Sequence, residues 1–478
     1  MLSLEGLNNL ESIGGDLRCY YRSRDSRDNW ELSGMKDENL EKLSKLQSVG
    51  GNLEMSFKYG PGNLRSLKGL ENLTSIGKGL HLENVPSLQG LSGITQLENL
   101  EIENAADLSG LMNLQYVNGN LTLLNGSFDT FYGLNNLRTI GGSLLIKAYI
   151  YANGSFTLHE FSNVTSMAGF DSLNEIGGNL EICSFVDASY GKGYGLNNLE
   201  NLSGFTKLYK IGGDLKVWAY GGGNGKAYGA SYCSEAHCLN SLKSIDIASL
   251  KEIGGNLIID NAAEDESDGQ RYYLIDLCDF SFSSLETIGG DIVHHYKTDH
   301  DHTYIKKEGY STIKKAPRYL KSVKNIAALC SFACEDDGFV SLVSAGDISG
   351  NGIGFPSLKN ISNSLTITGS DVNSIGDLKL LETIGGELKI SSTSISNISG
   401  FNKLSKVGTL VLEKNSNLSD ITGFNDLSEC SSISISNSPT LHDFSSFVNA
   451  VKNGSSWAVS GCGYNPTKYQ MQNGQSKQ

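Results

Sequence analysis

The sequence predicts a mainly β protein: a parallel β-helix, or leucine-rich solenoid, with long loop insertions and a short C-terminal helix cap. Three observations predict it. The first is a unit that the chain keeps rewriting: an apolar residue, two polar, Leu, two polar, Ile or Val, Gly-Gly, one polar, Leu, one variable, Ile. It reads LNNLRTIGGSLLI at Leu134–Ile146, FDSLNEIGGNLEI at Phe170–Ile182, FTKLYKIGGDLKV at Phe205–Val217 and LKLLETIGGELKI at Leu378–Ile390. Copies also stand at Leu7–Cys19 and Phe282–His294, with looser ones at Leu70–Leu82, Leu111–Leu123 and Phe401–Leu412. Internal repetition of this kind marks solenoids and arrays.

The second observation is that two periods share the unit. The tail Gly-Gly-x-Leu-x-Ile alternates apolar and polar residues, as a short strand with one buried face does. Leu144 and Ile146 face in, and so do Leu215 and Val217. The head spaces its apolar residues by three (Leu134, Leu137, Ile140), which keeps a side chain inward at each step of an arc. The glycine pair between them reads as the corner, since glycine tolerates positive φ and close backbone approach. One unit cannot bury its own apolar side, whereas stacked units bury all of them in one column.

The third observation is the spacing of the corners. Asn118 to Gly141 is 23 residues and Gly385 to Gly408 is 23. Gly77 to Asn118 is 41, with an extra strand-like run at Leu97–Ile102 midway. The basic coil is therefore about 20–23 residues. Other gaps are longer: 36 from Gly14 to Gly50, 36 from Gly141 to Gly177, 35 from Gly177 to Gly212 and 42 from Gly212 to Gly254. The surplus falls after the strand and never inside the arc, so the added loops should rise from one edge of the stack.

Taken in order, residues 1–440 read as a single continuous β-solenoid. Large insertions lie within 131–330, beginning with Ala148–Asn163 and continuing through Ser184–Asn197, Ala219–Asn240, Asp260–Leu277 and His295–Tyr319. Residues 331–355 are irregular and 356–440 return to short coils, with strands at Leu365–Ile367, Leu388–Ile390, Leu410–Leu412 and Ile433–Ile435. Residues 441–478 read as a C-terminal cap and tail. Phe444–Lys452 has a helical apolar pattern that stops at Asn453-Gly454, and Trp457–Val459 is read as part of the closing cap.

Composition narrows the function. The chain has 478 residues, 39% of them hydrophobic, with 56 glycines and only 6 prolines, which suits many corners and few rigid linkers. A net charge of −14 argues against a nucleic acid partner, since phosphate binding needs clustered Lys and Arg. No apolar run approaches the ~18 residues of a membrane span. Met1 opens directly into a repeat with no leader and no polar cap, from which an upstream N-terminal region is expected. Of nine cysteines, Cys19 takes an inward slot. Cys233/Cys238 and Cys330/Cys334 are close pairs that spacing leaves open between disulfides and free thiols.

The insertions carry the candidate ligand-binding residues: Trp30, Tyr149, Tyr151, Tyr190, Tyr194, Trp218, Tyr220, Tyr228, Tyr272, Tyr273 and Tyr296. Tyrosine among Gly, Ser and Asn gives contact area at low entropy cost, with a hydroxyl handle. The competing reading folds these rings back onto the coils. The run HHYKTDHDH offers His295, His300 and His302 as candidate metal ligands, against a plain solvated loop. EDESDG lacks the alternate spacing of a calcium loop. GGGNGK fails the phosphate-loop spacing, and Ala227 stands where Ser or Thr is required. No cofactor is expected. An enzyme reading would need carboxylates converging from adjacent coils. The outward positions Arg18, Glu54, His81, Thr122, Leu145, Glu181, Lys216, Ile258, Val293 and Lys389 show no such stack and no threonine ladder. Asn-x-Ser/Thr triplets recur from Asn72 to Asn453 and are compositional in so Asn-rich a chain.

The repeated GL-x-x-L-x-x-IGG-x-L-x-I unit resembles the receptor L-domain family over roughly residues 1–440. Similar repeats occur in fungal wall proteins and in bacterial surface leucine-rich proteins, and the ending Trp457–Met471 (WAVSGCGYNPTKYQM) resembles the last of these. The resemblance implies a right-handed parallel β-helix, export, a cell-surface or extracellular location and ligand binding without catalysis. The chain lacks the receptors' cysteine-rich modules. The expected function is a non-catalytic surface or secreted binding and adhesion protein that recognises a protein or glycan through stacked Tyr/Gly-rich loops. The alternatives are a carbohydrate-active β-helix enzyme and a purely structural surface spacer.

Overall fold

The computed structural model describes residues 4–20, 36–57, 63–152, 161, 163–188, 193–222, 236–239, 241–264, 282–296, 320–328, 339–350, 355–370, 372–375 and 378–478. They divide into two compact units, residues 1–277 with 296–305 and residues 278–295 with 306–478.

In the first unit the tail of each repeat is a strand: Leu17–Tyr20 (β1), Leu53–Ser56 (β2), Gly79–Glu83 (β3), Asn99–Ala105 (β4), Leu121–Gly126 (β5), Leu144–Ala152 (β6) and Leu180–Ala188 (β7). Then come Gly193–Gly195 (β8), Leu215–Gly222 (β9), Ala236–Cys238 (β10) and Leu257–Glu264 (β11). Apart from β8 and β10, each strand pairs in parallel with the next coil's copy, Leu on Leu: Leu17, Leu53, Leu80, Leu100, Leu121, Leu144, Leu180, Leu215 and Leu257 form one column. From Leu53 onward these leucines are buried, as are Met55, Leu82, Ile102, Leu123, Ile146, Ile182, Val217 and Ile259 two residues on. The fold is a leucine-rich β-solenoid. The expected extra strand at Leu97–Ile102 is β4 with its two-residue forerunner Gln96–Leu97.

The glycine corner works differently from a left-handed turn. No corner pair has positive φ; that conformation belongs to the glycine opening the head, such as Gly133 at φ +114. What the corner needs is space. A Cβ on Gly141, Gly177, Gly212 or Gly254 would fall on the backbone carbonyl of the preceding coil's corner, an overlap no side chain can relieve. The polar residue after the pair has its own task. Asn99, Asn120, Ser143, Asn179 and Asp214 each accept, through a side-chain oxygen, the backbone N–H of the next coil's equivalent residue at 2.6–3.0 Å. That ladder satisfies N–H groups left over where the chain turns.

The second unit repeats the scheme: Thr287–Tyr296 (β12), Ser322–Ala328 (β13), Ser344–Gly350 (β14), Leu365–Thr368 (β15), Thr383–Ser391 (β16), Lys406–Glu413 (β17) and Glu429–Ser436 (β18), all parallel. Phenylalanines at the head positions stack coil on coil, with Phe401, Phe424 and Phe447 at 5.6 and 5.2 Å between centroids. The predicted helix over 444–452 is a 3-10 turn, Ser445–Phe447, running into Val448–Lys452 (α1). Trp457–Val459 is a strand in place of the expected cap. Within Ser456–Ser460 (β19), Trp457 and Val459 pair with Ile433 and Ile435 as one more rung. The closing element is Lys468–Gln472 (α2), started by a capping box of Thr467 and Gln470. Its Met471 is buried, and Trp457 Nε1 donates to the Pro466 carbonyl at 2.7 Å.

Candidate functional site

The insertions of the first unit leave the stack where the spacing predicts, but as strands. Short coils end their strands at left-handed asparagines, Asn84, Asn104 and Asn125 (φ 56–57). The long coils run on: β6 and β7 stay paired through Ala152 and Ala188, and β7, β9 and β11 through Asp187, Gly222 and Glu264. A parallel four-stranded wing therefore extends the solenoid sheet past its usual edge. The chain also comes back in register. β8 pairs in parallel with β10, Tyr194 opposite His237. β8 lies against β6 and β7, and β10 against β7 and β9.

Small residues root the two layers. Ala148, Ser184 and Ala219 are aligned in one column and fully buried. The Ser184 hydroxyl donates to the Gly195 carbonyl at 2.8 Å, and a Cβ on Gly195 would collide with Ser184 and come within 2.9 Å of Ala148. Re-entry into the coil takes place at Phe161, Leu196 and Leu239, each buried and each in the left-handed region at φ 52, 46 and 53. That conformation costs a residue with a large side chain roughly 1–2 kcal/mol, so core packing holds the loop ends where the backbone alone would not.

On the outer face of the sheet the wing carries one tightly tied cluster. The register lines up Lys147, Cys183 and Trp218 on successive strands, with Glu181 opposite Lys216 one column away. Trp218 is half-buried, and its Nε1 donates to Glu181 Oε1. Lys216 and Lys147 stand 5.0 and 5.8 Å from its ring centroid, in cation–π range. Cys183, between them, is fully buried despite its outward slot. Burial first, and then the Glu181 carboxylate, push its thiol up to about 12.

The outward positions of the first unit form one column: Arg18, Glu54, His81, Glu101, Thr122, Leu145, Glu181, Lys216 and Ile258. Glu101 was missed because its coil has Glu98-Asn99 at the corner. With it comes an acidic group on the short coils. Glu83 and Glu103 are register partners, and His81 Nδ1 sits 3.3 Å from Glu101 Oε2. Ser56 donates to Glu83. Burial, then Glu83 and Glu101, hold the half-buried Glu103 carboxyl above the usual carboxylate range. The expected absence of stacked carboxylates is thus corrected.

Of the other candidate ligand-binding residues, Tyr149, Tyr151 and Tyr220 lie in β6 and β9, Tyr194 in β8 and Tyr296 in β12. Trp30, Tyr190, Tyr228, Tyr272 and Tyr273 lie outside the described residues. For the metal candidates, His295 is in β12, while His300 and His302 lie outside the described residues. Among the described residues no three His, Cys, Asp or Glu are grouped to hold a metal ion. Cys238 is in β10, and Cys233, Cys330 and Cys334 lie outside the described residues. No described helix is long and apolar enough to cross a membrane.

No family model and no curated protein matches the chain. Among solved structures it is similar to a leucine-rich-repeat protein of Leptospira interrogans, at 13% identity over 84% of this chain and 87% of that one, with a TM-score of 0.21. A score so low adds nothing to the register described above.

Proposed function

We propose that the protein is a non-catalytic binding protein of the cell surface or extracellular space, which captures a protein or glycan through the ridge formed by its wing and loops. One observation carries this reading: four successive strands leave the solenoid in register and two return in register. The described strand segments thus form a paired, rigid base, which lowers the ordering cost of binding on it. Trp218, half-buried on the outer face, is an aromatic anchor of the kind binding surfaces favour, and the candidate residues Tyr149, Tyr151, Tyr194 and Tyr220 lie in the same group of strands. The test is an array of glycans and surface proteins probed with the full chain and with the Trp218→Ala/Tyr220→Ala variant. Captured ligand should be lost by the variant while its melting profile stays cooperative. Equal capture by both proteins would reject the ridge.

The acidic group gives one specific observation for a second reading, carbohydrate cleavage. A carboxyl whose pKa is raised by burial and by neighbouring carboxylates is the kind of group that glycoside hydrolysis employs as its acid. Turnover of a polysaccharide panel, abolished by Glu103→Gln, would establish it, and a panel left intact would end it.

A further inference from the structure

We infer that the arcs over 108–117 and 131–140 carry a docking surface of their own, where Tyr132, Met112 and Tyr116 take an apolar side chain of a protein segment and Arg138 takes a carboxylate beside it. This surface lies on the arc side of the coils and does not depend on the ridge reading above. Among the described residues seven large apolar side chains are exposed, and Met112 (42%), Tyr116 (38%), Tyr132 (57%) and Tyr209 (46%) share the arcs of the first unit. Three of these are gathered on two successive coils. The Tyr132 hydroxyl donates to Met112 Sδ at 3.4 Å. Tyr116 follows Met112 on the same arc, and the next coil brings Arg138 in alongside. The Arg138 backbone N–H donates to the Gln115 carbonyl at 2.8 Å, and Thr139 pairs with Tyr116.

Folding does not require these side chains. The slot of Tyr132 holds Ser109 one coil earlier and Ala168 one coil later, and that of Met112 holds Ser92 and Asn135. Gln96 and Thr139 are the register partners of Tyr116 on either side. Those coils bury the same inward residues without an apolar group outside, Leu91 and Leu134 among them. Apolar groups gathered on a surface where polar ones serve as well mark a place of contact.

The chemistry of the patch points to a protein. Tyrosine, methionine and arginine are the residues enriched where proteins meet, and tyrosine and arginine dominate the energetics there. A thioether between two rings adapts to an irregular apolar side chain. Arg138 is exposed and forms no ion pair with a described residue. Glu175, the register partner of Thr139, already receives the Tyr209 hydroxyl at 3.4 Å. A guanidinium so placed is a fork for an incoming carboxylate. In a chain of net charge −14 an acidic segment finds few other places to settle.

Selection of a random dodecapeptide phage library on the full chain tests this. Recovered peptides should share a Leu, Phe, Trp or Met within about two residues of an Asp or Glu. One of them, synthesised and titrated by fluorescence anisotropy, should lose about tenfold or more in affinity for Tyr132→Ala and for Met112→Ala. Arg138→Glu should weaken it about tenfold. A peptide with lysine in place of its acid should bind Arg138→Glu again and bind the unaltered chain poorly. All of these positions are exposed, so each variant should keep its cooperative melt; if Met112→Ala does not, Tyr116→Ala serves in its place. A library that yields no peptide overturns the inference, as do peptides that bind every variant alike. Loss with Tyr132→Ala but not with Arg138→Glu overturns the pairing with a carboxylate. Cellohexaose binding abolished by Tyr132→Ala, with no peptide bound, would make this a glycan site and overturn the protein partner. A dimer in sedimentation velocity that Tyr132→Ala dissolves would put a second copy there and overturn it as well.

Discussion

Within the first unit, the short coils of residues 53–126 and the long coils of 144–264 are the same object inside and different objects outside. Leu53, Leu80, Leu100 and Leu121 continue into Leu144, Leu180, Leu215 and Leu257 without a change of register or burial. Past the strand they part. The short coils stop at Asn84, Asn104 and Asn125 and show Glu83, Glu101 and Glu103, while the long coils run on and show Trp218 with Glu181, Lys147 and Lys216 about its ring. The rung thus sets stability, and the residues after it vary from coil to coil without disturbing it, as in other repeat proteins.

The comparison breaks first at the corner, which both kinds of coil share. Gly177→Val would drive a side chain onto the Gly141 carbonyl, whereas Gly14 has nothing within 4 Å of its notional Cβ. Gly177→Val should cost about 4 kcal/mol or more, while Gly14→Val stays within about 0.5 kcal/mol. Thermal melts followed by far-UV dichroism would read both. If the two cost the same, close packing is not what fixes the corner. The rungs come next. Leu53→Ala and Leu180→Ala, both at 0% exposure, should each cost about 2–5 kcal/mol in chemical denaturation, with no advantage to either kind of coil. A much milder Leu180→Ala would mean that the wing carries the long coils' stability.

The sequence made the inner half of this picture legible because burial repeats strictly. Leu144/Ile146 and Leu180/Ile182 alternate where a column of leucines must interlock, and the arc's three-residue step follows from the same need. The corner was legible only in part, since glycine pairs signal a turn or a close approach equally well, and only the stacked carbonyls decide between them. The wing was read as loop. Tyr149-Ile150-Tyr151 is composed of strand-forming residues but runs into a Gly/Ser/Asn-rich stretch that reads as loop, whereas Tyr220-Gly221-Gly222 is a poor strand alone and becomes one by pairing with neighbours in register. Yet one regularity past the rung was written in the repeat itself. Ile146-Lys147-Ala148-Tyr149, Ile182-Cys183-Ser184-Phe185 and Val217-Trp218-Ala219-Tyr220 put a ring at the same step each time, visible once the unit is extended past its last apolar residue. The acidic group stayed hidden because the coil carrying Glu101 and Glu103 has no glycine pair to mark it.

A smaller effect on folding, with a larger one on the outer face, is expected from Trp218→Ala. The ring is half-buried and its partners are surface groups, so the loss should be about 1 kcal/mol. Ligand capture should disappear. Cys183 should also change character, because its thiol, pushed up to about 12 chiefly by burial, would lose the neighbour in its column that shields it. Reaction with a disulfide reagent at mildly alkaline pH should go from undetectable to measurable. A thiol that stays inert would show that Lys147 and the backbone cover it without the ring.

The finest test lies on the short coils, where no wing competes for the outer face. The Glu103 carboxyl is raised by burial and by Glu83 and Glu101, so its protonated form is the better fit to the folded chain. A group raised in this way contributes stability fully below its unfolded pKa and loses that contribution as pH rises through its folded pKa. Glu103→Gln keeps the shape and removes the charge. At pH 7 it should therefore stabilise the first unit by a few tenths of a kcal/mol, the scale of a like-charged pair on adjacent strands. The gain should shrink as pH falls and vanish below about pH 4, where the native carboxyl is neutral as well. Glu181→Gln on the long coils should instead destabilise at pH 7, since that carboxylate receives the Trp218 N–H and faces Lys216 at 4.0 Å. Parallel pH–melting curves that move both variants the same way would show that net charge, rather than the partners each coil provides, governs this face.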